Sequence, residues 1–396
     1  MSSLKDSVVG ALPQAVETRH DLHTHPELGY KETRTSGVVK ARLAELGVEF
    51  KGGLAGGTGV LGWIPATTNP ESARTVALRA DMDALPILEN TGLPYKSVTD
   101  GVMHACGHDG HTTILMTTAG VLQRLPERPN NVLLVFQPAE EGGAGGQKLC
   151  QEGALKGSII GKPADIIFGL HGFPGAEVGH VTTRNGPLLA AASQFNIHIR
   201  GKGSHAAYPH RGIDPIVVAA HIITALQTIA SRSVNPLDSI VITIGQVIAG
   251  VAHNVIPDTA MLRGTLRTLV NETNDLGIQR IGEVAQNVAT ALGATAEVEW
   301  TGAYPVTFNN PEATDEFRAV ARRVIGEPQV HEELHPSMGG EDFSFYGLEI
   351  PASFFFLGIR PADRDTYPNL HSPEFDFNDA AIPTGVELMC ELALSR

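Results

Sequence analysis

Three apolar segments in the first half of the chain each end in polar residues, and helix-like patterns separate them. Apolar strands that alternate with helices predict a doubly wound α/β fold with a mostly parallel sheet. In such a sheet the carboxyl ends of the strands form the ligand crevice, so we expect the polar residues to meet there. The segments and the residues that follow them are 75–80 with Asp81 and Asp83, 131–136 with Glu140 and Glu141, and 164–170 with His171.

The pattern changes near residue 187. Residues 194–200 alternate like a half-exposed strand, and Pro215 begins a helix that we expect to reach about Ser231. Strands over 239–244 and 259–268, a long helix over 272–292 and a strand over 295–300 complete the order βαββαβ. That order is typical of a ferredoxin-like α+β domain. We therefore predict an α/β domain of residues 1–186 and 305–396, with residues 187–304 inserted as a second domain.

The overall charge excludes several classes of partner. The net charge of −14 over 396 residues argues against binding to nucleic acid or to an anionic membrane. No apolar run approaches the ~20 residues that a membrane span needs, and residues 1–14 lack the apolar core of a signal peptide. Three cysteines cannot form a disulfide framework, so we expect a reducing, cytoplasmic location.

Residues 103–111 (MHACGHDGH) carry one thiol, three imidazoles and a carboxylate. Thiolate and imidazole bind borderline-soft divalent cations such as Zn²⁺. The next cysteine is Cys150, so any further ligands must come from distant segments. Ligands gathered from distant segments are typical of an open catalytic metal site rather than a closed structural one.

Glu140 and Glu141 precede a glycine-rich stretch. Most adjacent glutamates are solvated surface residues, but this pair follows an apolar strand, and little bulk lies beside its carboxylates. We favour a functional pair, in which one carboxylate binds a metal ion and the other removes a proton from water that the metal activates.

Several other residues are ambiguous when taken singly. His171 and His371 could be ligands or ordinary loop histidines, and Asp83 could orient a ligand imidazole or form a turn. For His23 and His25 we favour a pair at a helix end that packs near the site. The remaining ambiguous residues could be ordinary turn and strand residues or could bind a substrate carboxylate and an oxyanion; they are His205, Asn254 and Arg263.

Together these segments resemble the di-metal amidohydrolases that include aminoacylases, hippurate hydrolases and plant indole-acetyl-amino-acid hydrolases. Cys106-Gly107-His108, where other branches have an aspartate-based bridging motif, points to the hippurate-hydrolase-like branch. The similar stretches run in order along nearly the whole chain: residues 21–29, 78–86, 103–112, 136–146, 169–172, 201–209, 253–257, 338–346 and 370–372.

The resemblance implies a catalytic domain with a lid and dimerisation domain inserted into it. It also implies one or two divalent ions per subunit (Zn²⁺, Mn²⁺, Co²⁺ or Ni²⁺), a small N-acyl amino acid as substrate, and a homodimer or a dimer-based tetramer. His104 and His111 become neighbours of the site. The implied residues are Cys106, His108, Glu141, His171 and His371 as metal ligands, Glu140 as general base, Asp83 as orienting acid, His205 for the oxyanion, Asn254 and Arg263 for the substrate carboxylate, and Gly340 in the pocket wall.

The expected reaction is hydrolysis of the amide bond of an N-acyl amino acid to a carboxylic acid and a free amino acid. One alternative is a dipeptidase or aminopeptidase on the same scaffold, which would need an acidic group for the free amine. A further alternative is a non-catalytic metal-binding protein. Such a protein would have no general base, and the presence of Glu140 therefore argues against this alternative.

Overall fold

Residues 4–395 are described by a computed structural model, in which two units interrupt each other in sequence. The first unit contains the chain up to Leu188, Phe308–His335 and the chain from Asp342 onward. The second unit contains Leu189–Thr307 and Pro336–Glu341.

The first unit contains an eight-stranded mixed sheet in the order β1-β2-β4-β3-β5-β16-β6-β15. The central strands β4, β3, β5 and β16 pair in parallel, and β1, β2 and β4 pair antiparallel. This arrangement confirms the predicted α/β class with a mostly parallel central sheet. The strands of this sheet are β1 (Glu49–Leu54), β2 (Gly59–Ile64), β3 (Thr75–Asp81), β4 (Asn131–Gln137), β5 (Ile166–Glu177), β6 (Val181–Thr183), β15 (Val330–Glu332) and β16 (Ala352–Arg360).

Every residue of β3 and β4 is buried, as expected for strands covered on both faces. The helix α3 packs against α1 and α10. The helices of the first unit are α1 (Leu4–Thr24), α2 (Thr33–Glu45), α3 (His108–Arg124), α4 (Glu140–Gly143), α5 (Gly145–Glu152), α8 (Pro311–Ile325), α9 (Ser344–Gly347) and α10 (Ile382–Leu394).

Two helices have unusual backbone features near their beginnings. The first helix begins at Leu4 and contains Pro13. Pro13 is on the exposed face, where water can solvate the carbonyl that loses its amide partner. The third helix begins at His108, because Gly107 at φ 86° turns the chain directly into it.

The second unit contains a four-stranded antiparallel sheet in the order β10-β12-β8-β13. Its helices pack on that sheet, and apolar residues of the helices and strands form one core. These elements follow one another along the chain as strand, helix, strand, strand, helix, strand. They are β8 (Ala191–Arg200), α6 (Pro215–Thr228), β10 (Ile240–Ala249), β12 (Thr259–Thr268), α7 (Asn271–Ala291) and β13 (Thr295–Tyr304); the short strands are β7 (Gly186–Leu189), β9 (Ser204–His205), β11 (Val255–Ile256) and β14 (Thr307–Asn309).

The helix α6 continues into a π-helical turn, Ile229–Ser233. Together they form the one helical segment among residues 4–395, Pro215–Ser233, that is long and apolar enough to cross a membrane by length and composition, with a mean hydropathy of 1.3. The expectation that no such run exists was therefore too strict. Val218, Ile222 and Leu226 recur at helical spacing and are buried in the core of the second unit. That spacing is what an amphipathic core helix requires.

Candidate metal centre and active site

Two groups of possible ligands share the thiol of Cys106. Its Sγ lies 3.3 Å from Nε2 of His171 and 3.4 Å from Nε2 of His371. Within each group the ligand atoms lie within 4.8 Å of one another. A thiolate can bind Zn²⁺ and similar ions together with imidazole and carboxylate, so this donor set fits divalent cations. The groups are Cys106 with His108 and His171, and Cys106 with Glu141 and His371.

The turn at Gly107 brings Cys106 and His108 to the same site. Gly107 has φ 86°, a conformation that glycine adopts without steric cost. Phe377 packs closely against this turn: a Cβ added at Gly107 would lie 3.0 Å from its ring, and one added at Gly110 would lie 2.5 Å from it. The small residues of the motif therefore make room for a buried ring behind the ligands.

Asp83 holds the segment that carries Glu140 and Glu141. One of its carboxylate oxygens accepts the N–H of Glu140 at 3.0 Å, and the other accepts the N–H of Glu141 at 2.9 Å. Ala139 and Ala144 on either side adopt left-handed conformations, at φ 53° and 55°. Asp83 Oδ1 also lies 3.3 Å from Nδ1 of His108, so the predicted orienting acid contacts a predicted ligand.

Backbone hydrogen bonds hold the two remaining histidines, through the ring of His171 and through the main chain of His371. Nδ1 of His171 donates to the carbonyl of Gly172 at 2.8 Å, which leaves Nε2 as the free ligand atom. His371 has φ 64°, and its N–H donates to the carbonyl of Ala105 at 2.8 Å. That bond ties the His371 loop to the cysteine motif, and Cys106 itself lies 265 residues earlier in the chain.

The electrostatics of the ligand set favour a cation. Burial, Glu141 and Glu140 all raise the pKa of the Cys106 thiol well above its usual 9.0. Burial lowers the pKa of His108, but Asp81 and Asp83 outweigh it and raise that pKa to about 10. Without a cation both ligands hold protons at neutral pH, so binding a metal ion there requires their release.

Both ring nitrogens of His111 form hydrogen bonds beside the centre. Its Nδ1 donates to Asp81 at 2.7 Å, and its Nε2 accepts the N–H of Gly172 at 2.8 Å. His23 binds Asp109 through Nδ1 at 2.9 Å, at the end of the first helix. His104 is buried, burial lowers its pKa to about 4, and within residues 4–395 neither of its ring nitrogens has a hydrogen-bond partner.

The predicted substrate residues lie in the second unit. His205 pairs with Val255 in a two-stranded ladder, and the N–H of Ala207 donates to Nδ1 of His205 at 3.1 Å. Asn254 directly precedes Val255, so the structure brings it close to His205. Arg263 lies on β12 with its Nη1 3.4 Å from Gln246 Oε1.

Gly340 lies against Ala192, whose Cβ would be 2.6 Å from a Cβ at position 340. Three residues behind the centre were not predicted from the sequence: Arg79, Gln137 and Asp342. A charged residue within the apolar run of residues 75–80 was the available signal for Arg79.

The sequence profile of peptidase family M20/M25/M40 matches residues 77–395. An N-acetyl-L-cysteine deacetylase of Bacillus subtilis (strain 168) is 41% identical over 370 residues, which cover 93% of this chain and 85% of that protein. IAA-amino acid hydrolase ILR1-like 4 of Arabidopsis thaliana is 39% identical over 383 residues, which cover 96% of this chain and 84% of that protein. The crystal structure of Bacillus subtilis YxeP, a dinuclear metal binding peptidase from the M20 family, has a TM-score of 0.81 at 35% identity and covers 98% of each chain.

Proposed function

This chain belongs to peptidase family M20/M25/M40 and is an amidohydrolase, and we propose that Glu140 and the ligand set around Cys106 carry out its hydrolysis of N-acyl amino acids. The products are a carboxylic acid and a free amino acid. The observation that carries the assignment is the position of the Glu140 carboxylate, which lies beside the ligand groups and outside both of the groups that share Cys106. Glu140 lies within 4.8 Å of His108 and Glu141, yet it belongs to neither of the two groups that share Cys106.

The proposed ligands are Cys106, His108, Glu141, His171 and His371. Divalent ions bound there would supply Lewis acidity, which lowers the pKa of water and polarises the scissile carbonyl. The similarity to YxeP, a dinuclear metal binding peptidase, supports such ions without fixing which metal is used.

Glu140 acts as the general base and then as the general acid. Its carboxylate takes a proton from the attacking water, and it returns a proton to the nitrogen of the leaving amine. The C–N bond breaks as that nitrogen is protonated, and the acyl carbon keeps the oxygen from water. Glu140 is buried, and the N–H of Asp342 lies 3.4 Å from its Oε1, so its carboxylate is held in one orientation.

We assign substrate recognition to the second unit. His205 offers an imidazole for the oxyanion of the tetrahedral intermediate, and Asn254 and Arg263 offer donors for the carboxylate of the amino acid. We also assign Gly340 to the pocket wall, at a position that excludes any side chain because an added Cβ would lie 2.6 Å from the Cβ of Ala192. These roles make the second unit a ferredoxin-like lid domain.

The second unit also has an edge suited to a homodimer. The strand β10 lies at one end of its four-stranded sheet. Val247 and Ile248 on that strand are 52% and 42% exposed. An exposed, apolar edge strand is a template for pairing with another chain, and we propose that a second copy pairs there.

The three cysteines are free and buried, which suits a reducing, cytoplasmic compartment.

The test of the base is Glu140→Gln, which keeps the shape of the side chain and removes its proton-accepting carboxylate. We expect kcat to fall by ~10²–10⁴-fold, while metal content measured by atomic emission stays at the wild-type level. Substantial turnover by Glu140→Gln with metal bound would rule out this assignment.

A substrate panel separates amidohydrolase from peptidase activity. N-acetyl, N-benzoyl and indole-acetyl amino acids are compared with the matching unblocked dipeptides, each at several concentrations. We expect kcat/KM to favour the acylated amino acids, because two relatives at 39–41% identity are an N-acetyl-L-cysteine deacetylase and an IAA-amino acid hydrolase. Preference for unblocked dipeptides would instead assign the site to a dipeptidase.

A further inference from the structure

Arg79 is a charged residue in a fully buried strand. It is 0% exposed and lies near the carboxyl end of β3, two residues before Asp81. Its guanidinium donates to Asp81 Oδ2 at 2.6 Å, to Asp342 Oδ1 at 3.0 Å and to Gln137 Oε1 at 2.9 Å. A buried arginine is retained at such a cost in desolvation only where its partners compensate it well.

One partner, Asp81, lies directly behind the proposed ligands. Its Oδ1 binds His111 at 2.7 Å, and its Oδ2 lies 3.8 Å from Nε2 of His108. Asp81, His108 and His111 form a third group whose ligand atoms lie within 4.8 Å of one another. That group shares His108 with one of the two Cys106 groups, so the charge and orientation of Asp81 bear on where a metal ion would bind.

The other partner, Asp342, lies next to the proposed base. Its Oδ2 accepts the N–H of Gly146 at 2.9 Å, and its Oδ1 accepts Nε2–H of Gln137 at 2.7 Å. Its own N–H reaches Glu140 Oε1 at 3.4 Å. Tyr346 donates its hydroxyl to Gln137 at 3.0 Å and completes the frame around the carboxylate.

We propose that Arg79 is a positioning residue that joins the metal centre to the general base. Its planar fork binds two carboxylates at once: Asp81, which faces His108, and Asp342, which faces Glu140. A lysine could neutralise one carboxylate but could not hold both in fixed directions. The link to the base rests on the proposed function, whereas the link to the metal ligands does not.

The decisive variant is Arg79→Lys, which keeps the charge and loses the fork. Residues that orient metal ligands typically contribute ~10–100-fold to metal affinity or activity. We expect Co²⁺ affinity, measured by competition with a chromogenic chelator, to fall by ~10-fold or more. The thiolate-to-Co²⁺ charge-transfer absorbance should weaken at equal bound Co²⁺, because part of the metal moves to the Asp81 group. We expect kcat to fall by ~10–100-fold while KM stays within ~2-fold.

Two further variants separate the two partners of Arg79. Asp342→Asn should lower kcat more than it lowers Co²⁺ affinity, because the N–H of Asp342 contacts Glu140, whereas Asp81 is the partner that lies beside His108. The matched control is Arg74→Lys, since Arg74 precedes the opposite end of the same strand and forms a two-oxygen pair with Glu316 at 2.8–2.9 Å. Arg74→Lys should change neither metal affinity nor kcat.

Wild-type Co²⁺ affinity and charge-transfer absorbance in Arg79→Lys would overturn the proposal, whatever happens to kcat. A parallel loss in Arg74→Lys would overturn it as well, because the effect would then be general to the strand. If Arg79→Lys does not fold, Arg79→Gln with Asp342→Asn removes one charge of each sign and is judged on the same Co²⁺ measurements. If Glu140→Gln is fully active, the proposed function fails, but the Co²⁺ result for Arg79 still stands alone.

Discussion

We predict that alanine at position 110 of the cysteine motif destabilises the fold, because the structure leaves no space for its Cβ. Gly110 lies in the first turn of α3, where Gly→Ala in open surroundings would stabilise the helix by up to ~1 kcal/mol. Here the new Cβ would lie 2.5–2.6 Å from three atoms of the Phe377 ring. The ring is fully buried and is also in close contact with Gly107 and Gly172, so it has no free side to move towards. Overpacking of this kind costs ~1–3 kcal/mol, and the clash therefore outweighs the gain.

We expect Gly110→Ala to lower the free energy of unfolding by roughly 1–2 kcal/mol, and the melting temperature by roughly 2 °C for each kcal/mol. The matched control is Gly37→Ala in α2, where an added Cβ meets nothing within 4 Å and stability should rise by ~0.5–1 kcal/mol. Adding Phe377→Leu should recover part of the loss in Gly110→Ala, with a coupling energy of at least ~0.5 kcal/mol in the double-mutant cycle. Equal stabilisation by Gly110→Ala and Gly37→Ala in thermal unfolding would refute the steric explanation.

Three further predictions follow from the centre and the second unit. Treatment with a chelator should abolish turnover, and added Mn²⁺, Zn²⁺ or Co²⁺ should restore it. In Cys106→Ala, metal analysis should show a loss of metal affinity at both ligand groups, because Cys106 is the one residue that these two groups share. Burial lowers the pKa of His23, but Asp109 and Glu89 raise it from 6.5 to about 9. The interaction of protonated His23 with these carboxylates therefore stabilises the fold fully below pH 6.5, and this contribution is lost as the pH rises through 9. In denaturant titrations of His23→Gln, the free energy of unfolding should fall less between about pH 6.5 and pH 9 than it does in the wild type. An unchanged dependence of that free energy on pH would contradict the prediction. Val247→Lys should convert a dimer to monomers in light scattering, because a lysine on an exposed edge strand opposes pairing with another chain.

Much of the sheet was predictable because its strands are buried on both faces. Continuous apolar runs identify β3, β4 and β5, and the order β4-β3-β5 places their carboxyl ends side by side. The polar residues after those runs therefore come together, as Asp83, Glu140 and His171 do in the first unit. The antiparallel strand β1 was not predicted, because its residues are mostly exposed and carry no apolar run.

The partners of the charged residues behind the centre were not predictable from local patterns. Arg19 binds Asp109, Asp376 and Asp379, and two of these partners lie more than 350 residues away in sequence. Such pairs form because the fold brings buried charges together, and no spacing in the chain indicates which carboxylate an arginine will meet. The same holds for Arg79 and Asp342, which lie 263 residues apart.

The backbone at the centre also departs from what local preference would select. Ala139, Ala144 and His371 adopt left-handed conformations at φ 53°, 55° and 64°, where glycine would be the usual residue. Each costs roughly 1–2 kcal/mol, so the surrounding contacts must over-determine these turns. The carboxylate of Asp83 supplies two such contacts and the carbonyl of Ala105 a third. Long-range hydrogen bonds stabilise these strained turns, and the turns fix the directions of Glu140, Glu141 and His371. Because those bonds join distant segments, the sequence indicated which residues come together but not the backbone conformation that brings them together.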